Sequence, residues 1–335
     1  RNCDWSSDVC SSDLSIYLKS IASAPAKVIL FGEHFIVYGG KAILCAINKR
    51  ITIESKLSDS NTIHIDSDIG IITVPKNQLI EDIDIRFRPI IFLAQKILRQ
   101  FNSDSGLTIS IRSEIPAGVG LGSSSACCVA AASSISGLFT SYSKEDILRL
   151  ALEAEKTIFE NASGADTTSC TFGGILEYTK QGIQRLDMYP KFQIVIANSR
   201  IIHTTSQVVE RVKKFKQKNI EEFSKLCHNE AILIDQAVDA LKNNNIEVLG
   251  EKMIENQSHL QRIGVSNQTL DSMINLTKNV SHGAKITGAG DGGCIIALVD
   301  DSSLQKTLQA LSEYECFPTK IDMSGVEQKT IHDNS

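Results

Sequence analysis

No apolar run in this 335-residue chain approaches the roughly 20 residues that a helix needs to span a bilayer, which argues against a helical membrane span. Positive charge is not in excess either. The formal net charge of −5 argues against a general nucleic-acid binder. Nine cysteines are present without a C-x-x-C pair, so nothing points to a zinc site or to thioredoxin-like chemistry. A chain this long does not need a disulfide framework, and reduced, mostly buried thiols in a cytoplasmic protein are expected. Internal repeats and low-complexity tracts are absent too. The hydrophobic share of 42% and charged share of 22% are those of an ordinary globular protein. The length is long for one core and short for three, so two domains are expected.

The chain does not begin with methionine. Residues 1–14, "RNCDWSSDVCSSDL", have no apolar signal core and no periodicity, yet they hold the only Trp and two of the nine cysteines. The string resembles a translated sequencing adapter, with a genuine disordered tail as the alternative. Fold reasoning therefore starts at residue 15.

From there strands and amphipathic helices can be read. "SIYLKSIASAPAKVILFGEHFIVYGGKAILCAI" reads as strand, turn and strand, its apolar run Val28 to Phe31 ending in "GEH". "KRITIESKL" and "TIHIDS" alternate as half-buried antiparallel strands do, and "GLTISIRSEI" puts Leu107, Ile109 and Ile111 on one face. "RPIIFLAQKILRQF" has helical spacing with Pro89 near its first turn. From Ile115 to Ser143 no residue is charged, and "SSSACCVAAASSISGLF" predicts a helix with small residues all round, suited to burial between layers. "KEDILRLALEAEKTIFE" predicts a helix over Lys144–Glu160, "NASGADTTSCTFGG" a loop, and "ILEYT" a strand, with a domain boundary near Tyr189. After the strand "FQIVIA" comes a long, mostly helical stretch. The chain then runs through "AKIT", "GAGDGG", "CIIALV", the helix "SLQKTLQALSEY" and the strand "CFPTKIDM", a small α+β layer. The basic run Lys213–Lys218 reads as a solvated helix face.

The stretch "PAGVGLGSSSA", Pro116 to Ala126, follows a strand and precedes a helix. Its glycines let backbone amides face an anion at the helix start, and Ser123 is a natural N-cap. It lacks the G-K-[ST] of a Walker loop. It also lacks the third glycine of a dinucleotide fingerprint, because Ser123 stands there. Alone, the stretch supports either a phosphate cradle or a glycine-rich turn capped by serines. Three others keep it company, "SAPAKVILFGEH", "NASGADTTSCTFGG" and "TGAGDGG", and four such stretches in one acidic chain point to an enzyme site.

Together these motifs resemble the GHMP kinase superfamily, and within it the chain is most similar to the mevalonate kinases. "APAKVILFGEHFIVYGGKAI" is close to that family's A-P-G-K-V-I-L-F-G-E-H signature, "SGADTTSCTFGG" to its S-G-x-D…G-G pattern, and "KITGAGDGGC" to its C-terminal glycine motif. The resemblance runs along most of residues 20 to 325. It implies an α+β GHMP fold, with a mixed α/β N-terminal domain (ribosomal protein S5 domain 2-like) over residues 15–189 and a ferredoxin-like C-terminal domain over residues 190–335. The implied activity is transfer of the γ-phosphate of ATP, with Mg²⁺, to the primary hydroxyl of mevalonate, an early step of isoprenoid synthesis in the cytoplasm, by a homodimer. Another small-alcohol GHMP kinase such as phosphomevalonate kinase, or a non-catalytic nucleotide-binding paralogue, is the alternative. The retained Lys27, Ser124, Glu155 and Asp166 argue against a pure binder.

Residue by residue, the resemblance implies Asp166 as the base that takes the hydroxyl proton; a turn-stabilising Asp is the other reading. Lys27 would stand beside it and stabilise the alkoxide and γ-phosphate, unless it merely snorkels at a strand start. The triphosphate would lie on Pro116, Gly118, Gly120, Leu121, Gly122, Ser123, Ser124 and Ser125, with Gly288 and Gly290 closing the site. Ser124 and Glu155 would hold Mg²⁺, although Glu153 and Glu160 share the helix of Glu155. Glu33, His34 and Thr205 match substrate-contacting positions, His34 as a donor to the substrate carboxylate or hydroxyl. His203 stands where the family has an arginine, with Arg200 as a possible substitute. Ala26 for glycine and "NASG" for N-P-S-G are small departures that keep the Lys and Asp.

Overall fold

The computed structural model describes residues 18–116, 118–160, 163–179, 181–202 and 204–332. The segment 1–14 lies outside them. Strands β1 (Leu18–Phe31) and β2 (Ala42–Ser58) pair antiparallel around a short 3₁₀ turn, Phe35–Tyr38. β3 (Thr62–Ser67), β4 (Gly70–Pro75), α1 (Arg88–Gln100) and β5 (Gly106–Ser113) follow, then the helices α2 (Ser123–Ser136), α3 (Lys144–Glu155) and α4 (Ala165–Phe172). The hairpin β6 (Ile175–Thr179) and β7 (Gly182–Leu186) completes this half. The second half runs β8 (Gln193–Asn198), α5 (Thr205–Lys218), α6 (Ile220–Lys242), α7 (Ile246–Arg262), α8 (Gln268–Thr277), β9 (Gly283–Ile286), β10 (Cys294–Val299), α9 (Leu304–Ala310), β11 (Glu315–Thr319) and β12 (Glu327–His332).

The first sheet has the order β12-β1-β2-β5-β3-β4, with β6 paired to β2 and β7 to β6; among the described residues only its β3–β5 pairing is parallel. Alternation carries it, as expected. Leu107 and Ile109 lie in register with Ile63 and Ile65, all fully buried, and each such side chain contributes about 1.5–3 kcal/mol. Helix α2 is the filling above this face. Ala126, Ala130, Ala131 and Ala132 are fully buried, and Ser134 satisfies its hydroxyl on the Ser20 carbonyl, 2.8 Å away. Small residues all round let the backbone of α2 approach β1, β2, α1, α3 and α4 closely.

The second sheet has the order β11-β8-β10-β9, antiparallel throughout. With α5–α8 as one crossover and α9 as the other, this is the β-α-β-β-α-β arrangement of a ferredoxin-like layer. Phe35, from the turn after β1, is buried in this second core and stacks on Phe223 of α6 at 6.1 Å. The last strand, β12, leaves the second layer and pairs with β1. Among the described residues no helix is long and apolar enough to cross a membrane, and the seven described cysteines are free thiols.

Two local expectations are corrected. α3 ends at Glu155 rather than Glu160, and "NASGADTTSCTFGG" contains the helix α4 rather than only a loop. Its Thr-rich sequence is a poor helix former; the buried hydroxyls of Thr168 and Thr171 are satisfied on the carbonyls of Gly164 and Thr167 at 2.7 and 2.8 Å. Gly164 and Gly173, both at φ near +70°, bracket the helix. Burial against α2, α3 and β1 overrides the propensity.

Candidate active site

Lys27 is carried by β1, and its side chain is 4% exposed. A buried ammonium needs an anion, and Asp166 supplies it: Lys27 Nζ lies 3.1 Å from Asp166 Oδ2. Asp166 occupies the first turn of α4, where a carboxylate also faces the positive end of the helix. The backbone N–H of Lys27 donates to the Leu121 carbonyl at 2.9 Å, which ties this strand to the glycine loop.

In that loop Gly118, Gly120 and Gly122 take φ of 73°, 79° and 75°, left-handed values that other residues avoid. A Cβ at Gly118 or Gly120 would meet no protein atom within 4 Å, whereas one at Gly122 would strike Lys27 Cγ at 2.9 Å. Gly122, not Ser123, is the N-cap of α2, and Ser123 is its first helical residue. The loop from Pro116 to Ser125, with Ala117 outside the described residues, lines a cleft of 1010 Å³ together with Glu155, Asp166 and Thr205. Glu155 is buried and accepts from Ser125 Oγ at 2.5 Å and Thr167 Oγ1 at 2.6 Å. Ser125 therefore spends its hydroxyl on Glu155, while Ser124 is exposed in the cleft. Glu153 is paired with Lys96 instead, and Glu160 sits on the cleft wall. Cys127 and Cys128 also line the cleft; burial pushes the Cys127 thiol up to about 12, so it is no nucleophile at neutral pH.

A second cavity, of 320 Å³, opens beside the first. Gly120, Asp166 and Thr205 line both, so the two meet at the Lys27–Asp166 pair. Glu33, His34 and Gly288 face this second cavity. His34 sits at φ 64°, a strained value for a non-glycine residue, and its Nε2 lies 2.7 Å from the Ala289 carbonyl. A carbonyl only accepts, so Nε2 carries the proton. Burial holds the ring below the usual histidine pKa. With Nε2 committed to Ala289, Nδ1 is the ring nitrogen that neutral His34 leaves as an acceptor. Thr205 opens α5. Gly290 packs on the Val265 carbonyl and lines neither cavity; Arg200 is exposed and likewise lines neither. His203 lies outside the described residues.

Sequence reasoning missed two residues here. Lys285 of β9 is fully buried and paired with Glu33, with its Nζ also 2.6 Å from the Ile286 carbonyl. Burial pushes the Glu33 carboxyl up and the Lys285 ammonium down, while the charge of each opposes the other's shift. A lysine inside the apolar run "AKIT" was the available signal, since lysine is rarely buried without a partner. Thr287 hydrogen-bonds the backbone of Ile29 on β1.

Two adjoining cavities meet where the buried Lys27 pairs with the half-exposed Asp166 beside a glycine-rich helix start, and this arrangement has relatives. The family models for the GHMP kinases N terminal domain and the GHMP kinases C terminal match residues 89–174 and 237–315. The mevalonate kinase of Archaeoglobus fulgidus is 35% identical over 279 residues, 83% of this chain and 92% of that protein. The chain belongs to the GHMP kinase family. Among solved structures, this GHMP kinase superposes on the Methanococcus jannaschii mevalonate kinase with a TM-score of 0.82 at 29% identity, covering 90% of this chain and 98% of that one. A second similar structure is L. major mevalonate kinase in complex with R-mevalonate, with a TM-score of 0.76, 25% identity, and coverage of 93% and 96%.

Proposed function

We propose that this GHMP kinase transfers the γ-phosphate of ATP to the primary hydroxyl of mevalonate. The observation that carries the reading is the Lys27–Asp166 pair where the two cavities meet, because a phosphoryl donor and an alcohol acceptor must converge on one base and one cation. In this mechanism Asp166 takes the hydroxyl proton as the alcohol oxygen bonds to the γ-phosphorus and the bond to the leaving ADP oxygen breaks. Lys27, itself buried and held in place, meets the developing negative charge with a fixed cation. The alternating glycines leave the loop open to phosphate oxygens, and the first amides of α2 favour their charge.

The donors fit Mg²⁺. Glu155 offers a carboxylate pre-oriented by two hydroxyls, Ser124 a free hydroxyl, and both are hard oxygens of the kind Mg²⁺ takes alongside phosphates and water. Bound there, Mg²⁺ would neutralise phosphate charge. On the acceptor side, Thr205 and the Nδ1 of His34 would contact mevalonate, with Glu33 behind them on Lys285. Lys27 is the only lysine or arginine among the described lining residues of the 320 Å³ cavity, which does not favour an acceptor already carrying a phosphate. A cytoplasmic setting and a homodimer complete the proposal. The test is a coupled ADP-release assay across mevalonate, phosphomevalonate, homoserine and galactose. Turnover confined to mevalonate is expected, and preference for another alcohol would overturn the assignment.

A further inference from the structure

We propose that Thr287 is a positioning residue for phosphoryl transfer, its hydroxyl fixing the strand that carries Lys27 against the hairpin of the second layer. The proposal rests on the kinase reading above. β12 covers the outer edge of β1 only from Leu18 to Ser23. Beyond that point the edge is closed elsewhere: Lys27 N–H donates to the Leu121 carbonyl at 2.9 Å, and Ile29 is met by Thr287. The Thr287 hydroxyl accepts from the Ile29 N–H at 3.0 Å and donates to the Ile29 carbonyl at 3.0 Å. One side chain thereby satisfies both backbone groups of a residue, as a neighbouring strand would.

Thr287 is itself held. It is buried, and its own N–H donates to the Cys294 carbonyl at 3.1 Å across the β9–β10 hairpin. Two residues further on, the Ala289 carbonyl accepts from His34. One short turn of the second layer therefore grips β1 two residues past Lys27 and also grips a residue of the acceptor cavity. Lys27 and Ile29 lie on the same face of the strand, so a shift at Ile29 moves the Lys27 side chain with it. A displacement of about 1 Å in such a site costs on the order of 10²-fold in rate.

The experiment compares Thr287→Val, which keeps the volume and removes the hydroxyl, with Thr287→Ser, which keeps the hydroxyl. Thr287→Val is expected to lower kcat roughly 10- to 100-fold with little change in the KM for ATP, and Thr287→Ser to restore most of the rate. Amide exchange at Ile29, read by mass spectrometry, should accelerate in the Val variant and not in the Ser variant. Where Thr287→Val does not fold, Thr287→Ala takes its place in the comparison. A brace with only a structural role would lower Tm and leave kcat unchanged, and that result overturns the proposal. A Ser variant as slow as the Val variant, or unchanged exchange at Ile29, overturns it as well. Rates are measured on whichever alcohol the wild-type protein turns over, so failure on mevalonate refutes the substrate assignment alone. The exchange comparison needs no substrate.

Discussion

The three glycines of the phosphate loop share a backbone conformation but not their surroundings, and alanine at each should separate the two. At φ between 73° and 79° an alanine costs about 1–2 kcal/mol in any of the three places, enough to lower Tm by a few degrees. That part should be common to Gly118→Ala, Gly120→Ala and Gly122→Ala. The kinetic effects should differ. At Gly122 the new methyl would stand 2.9 Å from Lys27 Cγ and 3.2 Å from Cε, while the Lys27 backbone is pinned to Leu121. The side chain must then rotate away from Asp166, and kcat should fall about 100-fold. At Gly118 and Gly120 the methyl meets no protein atom and projects into open space beside the cleft. There it would keep phosphate off the backbone, so the KM for ATP should rise about tenfold, or about 1.4 kcal/mol of binding, with a smaller change in kcat. Steady-state ADP release with both substrates varied, alongside thermal melts, reads all three. A Gly122→Ala protein as destabilised as the others but with wild-type kcat would refute the argument that Gly122 makes room for Lys27.

Three other outcomes are expected. Asp166→Asn should lower kcat by about 10²–10⁴ while nucleotide titration shows nearly unchanged ATP binding; near-normal turnover would remove Asp166 as the base. Ser124→Ala should raise the Mg²⁺ concentration for half-maximal rate roughly tenfold, and an unchanged Mg²⁺ titration would place the metal elsewhere. Burial holds His34 below its ordinary pKa of 6.5, so on acidification the unfolded chain takes up that proton first. Stability should therefore fall as pH drops below about 6.5, and urea unfolding at pH 7.5 and 5.5 should show a smaller loss for His34→Gln. An equal loss in both proteins would locate the titration in other histidines.

The parts of the fold governed by local pattern were legible in the sequence. Strand β5 could be read because its apolar residues alternate, and α2 as a buried helix because nothing in it is charged or large. α4 was not legible: threonines disfavour an isolated helix, and packing against α2, α3 and β1 makes it one, while the buried Thr168 and Thr171 hydroxyls find partners on its own carbonyls. The resemblance implied that Lys27 stands beside Asp166, but the residues alone did not report it, because the contact joins positions far apart in the chain and no periodicity marks it. No periodicity marks the contact of Glu33 with Lys285 either. The assignment of Ser123 as N-cap followed residue preference, whereas the structure spends a left-handed glycine on that position.

The pairing of β12 with β1 carries a consequence for how this chain can be divided. The strand that bears Lys27 is edged at its start by residues 327–332, near its middle by the phosphate loop, and further on by Thr287. A fragment cut near residue 190 would keep Pro116–Ser125 and the Lys27–Leu121 bond but leave the edge uncovered along Leu18–Ser23 and at Ile29, unpaired backbone groups open to association. The nucleotide half is thus continuous in sequence but not self-sufficient in structure. During synthesis, the Leu18–Ser23 edge of the strand that carries Lys27 stays without its partner until residues 327–332 have been made.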